Sequence, residues 1–139
     1  MAQTLISLLR CRRTVGVGLD LVEVADVAAA LSSSRARRYL DLVYSEQERR
    51  DCATPDGSVD ASRLAARFAA KEAAWKALGD PAMELGWRSV EVVRGRRGQP
   101  SLRLSAPAAR IARSLGVRRL AVSLTHEPHY SAAVVVATR

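Results

Sequence analysis

Residues 67–79 read RFAAKEAAWKALG, and this stretch decides the fold of the 139-residue chain. Phe68, Glu72 and Lys76 recur at intervals of four, so they lie along one side of a predicted helix. A carboxylate and two lysines, Lys71 and Lys76, interrupt a segment otherwise made of Ala, Leu, Phe and Trp, apart from its leading arginine. That combination suits a site for a metal ion and a polyphosphate. An amphipathic helix with a solvated Glu–Lys pair is the simpler alternative, and the segment alone favours it.

The long helix is predicted to run through Leu78. Asp60 or Ser62 can cap its first turn, and Gly79 followed by Pro81 ends it. Its core positions take alternating steps of four and three, and one lysine interrupts them: Leu64, Phe68, Lys71, Trp75 and Leu78. The helix therefore buries a stripe along most of its length.

A buried strand is predicted near the start of the chain. Residues 15–24, VGVGLDLVEV, are apolar and β-branched, and the strand is expected to end near Asp20. Gly16 and Gly18 lie inside it. Glycine in a strand often marks the close approach of another backbone or of a ligand.

Three short helices are predicted between this strand and the long helix. Helical spacing indicates the first two over residues 26–31 and 35–43. Ser45 is a good N-cap for the third, and Glu48 three residues later completes a capping box.

The C-terminal half has the pattern of strands. Alternating apolar residues flank the turn GRRGQP at residues 95–100, which predicts a β-hairpin. A short helix over residues 106–115 and strands over residues 120–124 and 132–137 follow. The order of elements predicts a single α+β domain whose largely antiparallel sheet packs against the long helix.

The whole chain, residues 1–139, is predicted to be this one domain, with residues 1–13 as an N-terminal extension. Aromatic residues make up only 4% of the chain, so the core is thin and an oligomer can bury more surface. Cys11 and Cys52 lack metal-ligand spacing, and no signal peptide or membrane span is recognisable, which favours a reducing cytoplasm.

The chain carries 22 basic and 14 acidic residues, a net charge of +8, which favours anionic partners. No basic cluster is interleaved with aromatic residues, so a single-stranded nucleic acid groove is disfavoured. Neither a nucleic acid nor a membrane is expected as a partner.

Four ordered motifs resemble the holo-acyl-carrier-protein synthase family, the small trimeric phosphopantetheinyl transferases. They are GLDLVE at Gly18–Glu23, the Arg67–Gly79 helix, the Gly98–Pro100 turn and VSLTH at Val122–His126. The resemblance runs from about Val15 to the C-terminus. It implies the phosphopantetheinyl-transferase fold and a homotrimer with active sites at the subunit interfaces.

The resemblance also implies a reaction. Such enzymes move 4′-phosphopantetheine from coenzyme A to a serine of an apo acyl carrier protein and release adenosine 3′,5′-bisphosphate. Phosphoryl transfer needs charge neutralisation, and Mg²⁺ prefers a few carboxylates with phosphate oxygens and water. Asp20 and Glu72 are therefore the expected metal ligands, and with Lys76 they form the expected catalytic set.

The residues implied to contact coenzyme A are Arg67, Phe68, Lys71, Lys76, Gly79, Pro100 and His126, the last from a neighbouring subunit. Three points stay open. Lys71 either touches phosphate or runs its stem along the core stripe. Glu48 matches an acidic position of the family and fits a capping box equally well. Glu72 or a metal-bound water can take the proton of the attacking serine.

The chain departs from the family at three places. Asp26 stands where a basic residue usually meets the carrier protein, Trp75 replaces a small or polar residue, and Gly79-Asp80-Pro81 replaces Gly-Thr-Gly. Asp26 and the Gly79-Asp80-Pro81 loop keep a specialised or inactive paralogue as the main alternative. A small basic nucleic-acid-binding protein is a second, which charge favours and the absence of a recognised motif disfavours.

Overall fold

The computed structural model describes residues 13–79 and 84–139. Their elements, in chain order, are β1 (Thr14–Glu23), α1 (Val24–Ser32), α2 (Ala36–Val43), α3 (Glu46–Asp51), α4 (Ala61–Leu78), a 3₁₀ turn (Trp87–Ser89), β2 (Val90–Arg94), β3 (Pro100–Leu104), α5 (Ala106–Ser114), β4 (Arg119–His126) and β5 (Tyr130–Thr138). The predicted α+β fold is confirmed. The predicted N-terminal extension, save for Arg13, lies outside the described residues.

A three-stranded antiparallel sheet packs against α4 at the centre of the fold. Its strand order is β1-β5-β4, so the last strand of the chain lies in the middle. Since β1 and β4 both run antiparallel to β5, they run parallel to each other. The C-terminal ends of β1 and β4, which carry Asp20 and His126, therefore lie at the same end of the sheet.

Small residues let α4 lie unusually close to β1. A Cβ atom at Gly18 would overlap the carbonyl oxygen of Ala73, and one at Gly16 would overlap that of Ala77. The close approach expected from these strand glycines is therefore an approach to the helix backbone. Buried alanines form the helix face: Ala69, Ala70, Ala73, Ala74 and Ala77. This close packing explains how a chain with few aromatic residues fills its core.

The short helices cover a second core next to α4. Val27, Val43, Tyr44, Cys52 and Leu64 are buried in it. The capping box of α3 forms as predicted, and Asp60 rather than Ser62 caps α4 by accepting hydrogen bonds from the backbone N–H groups of Ser62 and Arg63.

The predicted hairpin is correct in place and extent, but β2 and β3 form a separate two-stranded sheet. Two predicted strand ends are too early. β1 continues three residues past Asp20 because it pairs with β5 as far as Tyr130. β4 continues to His126, which pairs with Ser131 of β5. Helix α4 ends at Gly79, whose φ of 84° lies in the region that favours glycine.

One face of the three-stranded sheet is bare and apolar. The side chains of Val17, Leu19 and Leu21 are 58%, 65% and 64% exposed on β1. In register with them on β5 are Val136, Val134 and Ala132. The described residues place no helix over this face. Within the same residues, no helix is long and apolar enough to cross a membrane.

Candidate active site

Two carboxylates and an ammonium group gather at the end of β1. The Nζ atom of Lys76 donates to Oδ1 of Asp20 over 2.8 Å and to the carbonyl oxygen of Leu19 over 3.1 Å. Glu72 lies one helical turn before Lys76 and lines, with Asp20 and Phe68, an open cavity of about 550 Å³. The structure thus brings together the three residues predicted for catalysis.

Charges in this carboxylate cavity perturb one another. Partial burial, and then the negative charge of Asp20, raise the pKa of Glu72, while Lys76 opposes them. The hydrogen bond to Asp20 raises the pKa of Lys76. Lys76 is paired with Asp20, so Glu72 lies beside this pair with its carboxylate partly buried.

The donor set of the carboxylate cavity fits a hard cation such as Mg²⁺. Asp20 and Glu72 offer carboxylate oxygens, which Mg²⁺ prefers, and the open cavity leaves the other ligand positions to water or phosphate oxygens. Within the described residues, no group of three or more His, Cys, Asp or Glu side chains is arranged as a complete metal site. A cation here would depend on the substrate for part of its coordination.

A second, smaller cavity of about 220 Å³ is basic. Arg63 and Arg67 of α4 line it together with Arg94, Pro100 and His126 from the hairpin and the end of β4. The side chain of Arg67 is buried, with Nη1 donating to the carbonyl oxygen of Arg63 over 3.3 Å and Nη2 3.8 Å from a carboxylate oxygen of Asp51. In the part of the chain that the structure describes, its Nε atom has no hydrogen-bond partner. Such an arrangement fits a phosphate group.

The predicted site residues thus separate into two groups. Asp20, Phe68, Glu72 and Lys76 belong to the carboxylate cavity or its rim, and Arg67, Pro100 and His126 belong to the basic cavity. Gly79 ends α4 and lines neither of them.

Lys71 is corrected to a structural role. Its side chain is 0% exposed, and its Nζ atom donates to Oε2 of Glu48 over 2.9 Å and to the carbonyl oxygens of Val90 and Trp87. Burial lowers the pKa of Lys71, and the charge of Glu48 opposes that shift. No atom of Lys71 is open to a ligand in this structure, which favours the alternative that its stem runs along the core stripe.

Two of the departures have clear positions. Trp75 is buried and packs on Trp87 with ring centroids 4.3 Å apart, so its bulk enters the core and neither cavity. Asp26 lines the carboxylate cavity and adds a negative charge near Asp20. Asp80 and Pro81 lie outside the described residues.

Sequence reasoning missed Arg63, Arg94 and Tyr39 as lining residues. Arg63 lies four residues before Arg67, so helical spacing alone could have paired them. Arg94 is in register with Pro100 across the hairpin. Tyr39 had no sequence signal for a site, because a tyrosine on an amphipathic helix is usually part of the core.

Comparison with known proteins identifies the family. Residues 16–135 match the family described as the 4′-phosphopantetheinyl transferase superfamily. The chain is 46% identical over 125 residues to a holo-[acyl-carrier-protein] synthase of Anaeromyxobacter sp. (strain K), covering 88% of this chain and 94% of that protein.

Solved structures show the same fold. The synthase of Neisseria meningitidis aligns with a TM-score of 0.78 at 23% identity, covering 91% of this chain and 100% of that one. A Chronobacterium ammoniagenes structure described as an ACPS–CoA complex aligns with a TM-score of 0.72 at 30% identity, covering 88% and 96%. The chain therefore belongs to the 4′-phosphopantetheinyl transferase superfamily and is an enzyme of its holo-acyl-carrier-protein synthase family.

Proposed function

We propose that the chain transfers 4′-phosphopantetheine from coenzyme A to a serine hydroxyl of an apo acyl carrier protein. The observation that carries this proposal is the pair of complementary cavities, one lined by carboxylates and the other by arginines and a histidine. The names of the relatives support it, since the Anaeromyxobacter relative is a holo-[acyl-carrier-protein] synthase and the Chronobacterium structure is a complex with CoA.

The basic cavity would hold the nucleotide end of coenzyme A. Arg63, Arg67, Arg94 and His126 converge there, and three guanidinium groups suit the 3′-phosphate. The unpartnered Nε of Arg67 gives this phosphate a donor that no described residue occupies. Phosphate binding would thus satisfy a buried polar atom.

The carboxylate cavity would hold the pyrophosphate. Asp20 and Glu72 would bind Mg²⁺, which supplies charge neutralisation when it is present. Lys76 already donates to Asp20 and is 51% exposed, so its ammonium group can turn to a phosphate oxygen. There it would stabilise the negative charge that develops on the leaving group.

In the reaction, the serine oxygen forms a bond to the β-phosphorus of coenzyme A, and the bond from that phosphorus to the bridging oxygen breaks. The leaving group is adenosine 3′,5′-bisphosphate. The serine proton passes to a base at the site, for which Glu72 is a candidate because it lines the cavity beside Asp20.

The enzyme is further proposed to be a homotrimer with shared sites. The bare face that includes Val17, Leu19 and Leu21 needs a cover, and a second copy of the chain supplies an equally apolar one. The number three comes from the family resemblance. In such a closed ring, Asp20, Glu72 and Lys76 of one subunit face His126 of its neighbour, so that the two kinds of cavity join across an interface.

The partner is an acyl carrier protein, and the location is expected to be the cytoplasm. To test the activity, the protein is incubated with coenzyme A, Mg²⁺ and an apo carrier protein, and the carrier is examined by mass spectrometry. We expect the mass to increase by one phosphopantetheine arm, and chelation of Mg²⁺ to prevent it. An unchanged carrier mass with several apo carriers, in the presence of Mg²⁺ and folded enzyme, would contradict the proposal.

A further inference from the structure

A buried ion pair joins three of the elements that line the basic cavity, helices α3 and α4 and strand β2. Glu48 of α3 and Lys71 of α4 are both 0% exposed, and their charged atoms are 2.9 Å apart. Such a pair is weak evidence for stability, because taking two charges out of water costs about as much as their attraction returns. A role other than stability therefore has to be considered.

The hydrogen bonds of the pair reach the hairpin. Oε1 of Glu48 accepts from the backbone N–H of Val92 over 2.8 Å. Lys71 donates to the carbonyl oxygen of Val90, the first residue of β2, and to that of Trp87, the first residue of the preceding 3₁₀ turn. Glu48 also accepts from the N–H of Ser45, which holds the start of α3. Helix α3, helix α4 and strand β2 thus meet at one carboxylate and one ammonium group.

The same three elements carry part of the wall of the basic cavity, a few residues from the pair. Asp51 follows Glu48 on α3, and Arg67 lies one turn before Lys71 on α4. Val92 lines the cavity with its side chain while its N–H binds Glu48, and Arg94 follows it on the same strand. Asp51, Arg67 and Arg94 therefore each lie within about one helical turn, or two strand residues, of a residue that takes part in this hydrogen-bond network.

We propose that Glu48 and Lys71 are positioning residues for the nucleotide end of coenzyme A. Neither touches the ligand. Together they fix the separation between the α4 arginines, Arg63 and Arg67, and the hairpin residues, Arg94 and Pro100. This role rests on the proposed function, since it assigns the basic cavity to the nucleotide.

The test uses a charge-neutral double variant, Glu48→Gln with Lys71→Met. It leaves no unpaired buried charge, and it keeps the approximate volume of both side chains, so folding is expected to survive. It removes the ammonium group that binds Val90 and Trp87. We expect the KM for coenzyme A and the Kd for adenosine 3′,5′-bisphosphate to rise together by about tenfold, with kcat at saturating coenzyme A within about twofold of wild type.

Val117→Ala is the matched control. Val117 is buried at the opposite end of the sheet from Asp20 and His126, so its truncation weakens the fold without touching the cavity. Its KM for coenzyme A should equal that of wild type. A rise in KM in the control as large as that in the double variant would show that lost stability alone explains the effect, and would overturn the proposal.

Glu48→Asp is the second variant if the double variant does not fold. It keeps the charge but is one methylene shorter, so it cannot reach both Lys71 and Val92 in their present positions. The same rise in KM is expected. An unchanged KM in a folded variant overturns the positioning role alone, and loss of the fold in both variants overturns it too, because the pair would then be a stability element. Failure of the wild-type protein to bind coenzyme A would instead overturn the proposed function.

Discussion

Helix α4 carries two lysines, and each forms an ion pair with a carboxylate from another element. The two pairs have the same chemistry but differ in burial. Lys71 binds Glu48 at 2.9 Å with both side chains 0% exposed, whereas Lys76 binds Asp20 at 2.8 Å with side chains 51% and 15% exposed. The nitrogen–oxygen distances are nearly equal. The two pairs therefore differ in their surroundings and not in their geometry. The buried ammonium group of Lys71 has three acceptors around it, whereas the exposed one of Lys76 can change partner.

The difference also explains why neighbours in sequence have unlike roles. Lys71 and Glu72 are adjacent, but one points into the protein and the other into the carboxylate cavity. One residue along a helix turns the side chain by about 100°. The Lys-Glu motif therefore contributes one residue, Lys71, to the core and the next, Glu72, to the carboxylate cavity.

The largest effect is expected from the exposed side of the helix. Glu72→Ala should lower transfer by at least about 100-fold without unfolding the protein, because it removes one of the two proposed metal ligands and the developing charge is no longer balanced. If the site is shared, His126→Ala should also be impaired, and mixing and reassembling the two variants should restore part of the activity. The assay is carrier modification per subunit before and after mixing.

Two outcomes would contradict this prediction. Near-normal turnover of Glu72→Ala at ordinary Mg²⁺ concentrations would remove Glu72 from the site. A fully active monomer at the assay concentration would refute the shared site, whatever the mixing experiment gives. Glu46→Ala, on the exposed first turn of α3, is the control and should behave as wild type.

The second prediction compares the same substitution at the two lysines. Lys71→Met leaves the carboxylate of Glu48 buried without its counter-charge and should lower the free energy of unfolding by about 3–5 kcal/mol. Lys76→Met removes a largely exposed partner and should stay within about 1 kcal/mol of wild type. Urea denaturation measures both.

Activity should reverse that order. At saturating coenzyme A, folded Lys71→Met should keep most of its kcat, whereas Lys76→Met should lose most of it because we propose that the Lys76 ammonium group binds the pyrophosphate. Equal unfolding free energies for the two variants would show that the burial of the Lys71–Glu48 pair has no energetic consequence. Loss of the fold in Lys76→Met, with unchanged activity per folded molecule, would make Lys76 structural.

Sequence alone predicts the parts of this comparison that are local. The extent of α4, the capping box at Ser45 and the spacing of Glu72 and Lys76 follow from helical periodicity. These features depend on residues a few positions apart.

The partner of Lys71 could not be predicted in the same way. Glu48 lies 23 residues earlier in the chain, and it reaches Lys71 only because α3 and β2 both pack against α4. The division of the strands into two sheets, and the meeting of Arg67 with His126, likewise depend on the packing of distant segments. The family resemblance supplied His126 as a site residue, but not its surroundings.

The smallest predicted effect concerns the pH dependence of stability at the carboxylate cavity. The folded state raises the pKa of Glu72 above its ordinary value, so it binds that proton more tightly than the unfolded state does. The contribution of Glu72 to stability is therefore present at acid pH and is lost as the pH rises through its folded pKa. Glu72→Gln, which keeps the shape without the charge, should be slightly more stable than wild type at about pH 7 in the presence of a chelator, and the difference should vanish near pH 4.

Mg²⁺ should reverse this order. A cation that binds the folded protein stabilises it by mass action, and the gain depends on both Asp20 and Glu72. Wild type should therefore gain in melting temperature on addition of Mg²⁺ at neutral pH, while Glu72→Gln should gain little, so that wild type becomes the more stable of the two.

Thermal unfolding at the two pH values, with chelator or with Mg²⁺, measures all four conditions. If Glu72→Gln is less stable than wild type under chelation at neutral pH, neither the burial of the Glu72 carboxylate nor its repulsion by Asp20 destabilises the folded protein. If Mg²⁺ stabilises both proteins equally, the cation binds elsewhere. Either result would return Lys76–Asp20 to the status of an ordinary surface ion pair, since the excess negative charge that distinguishes it from the buried Lys71–Glu48 pair would have no measurable consequence.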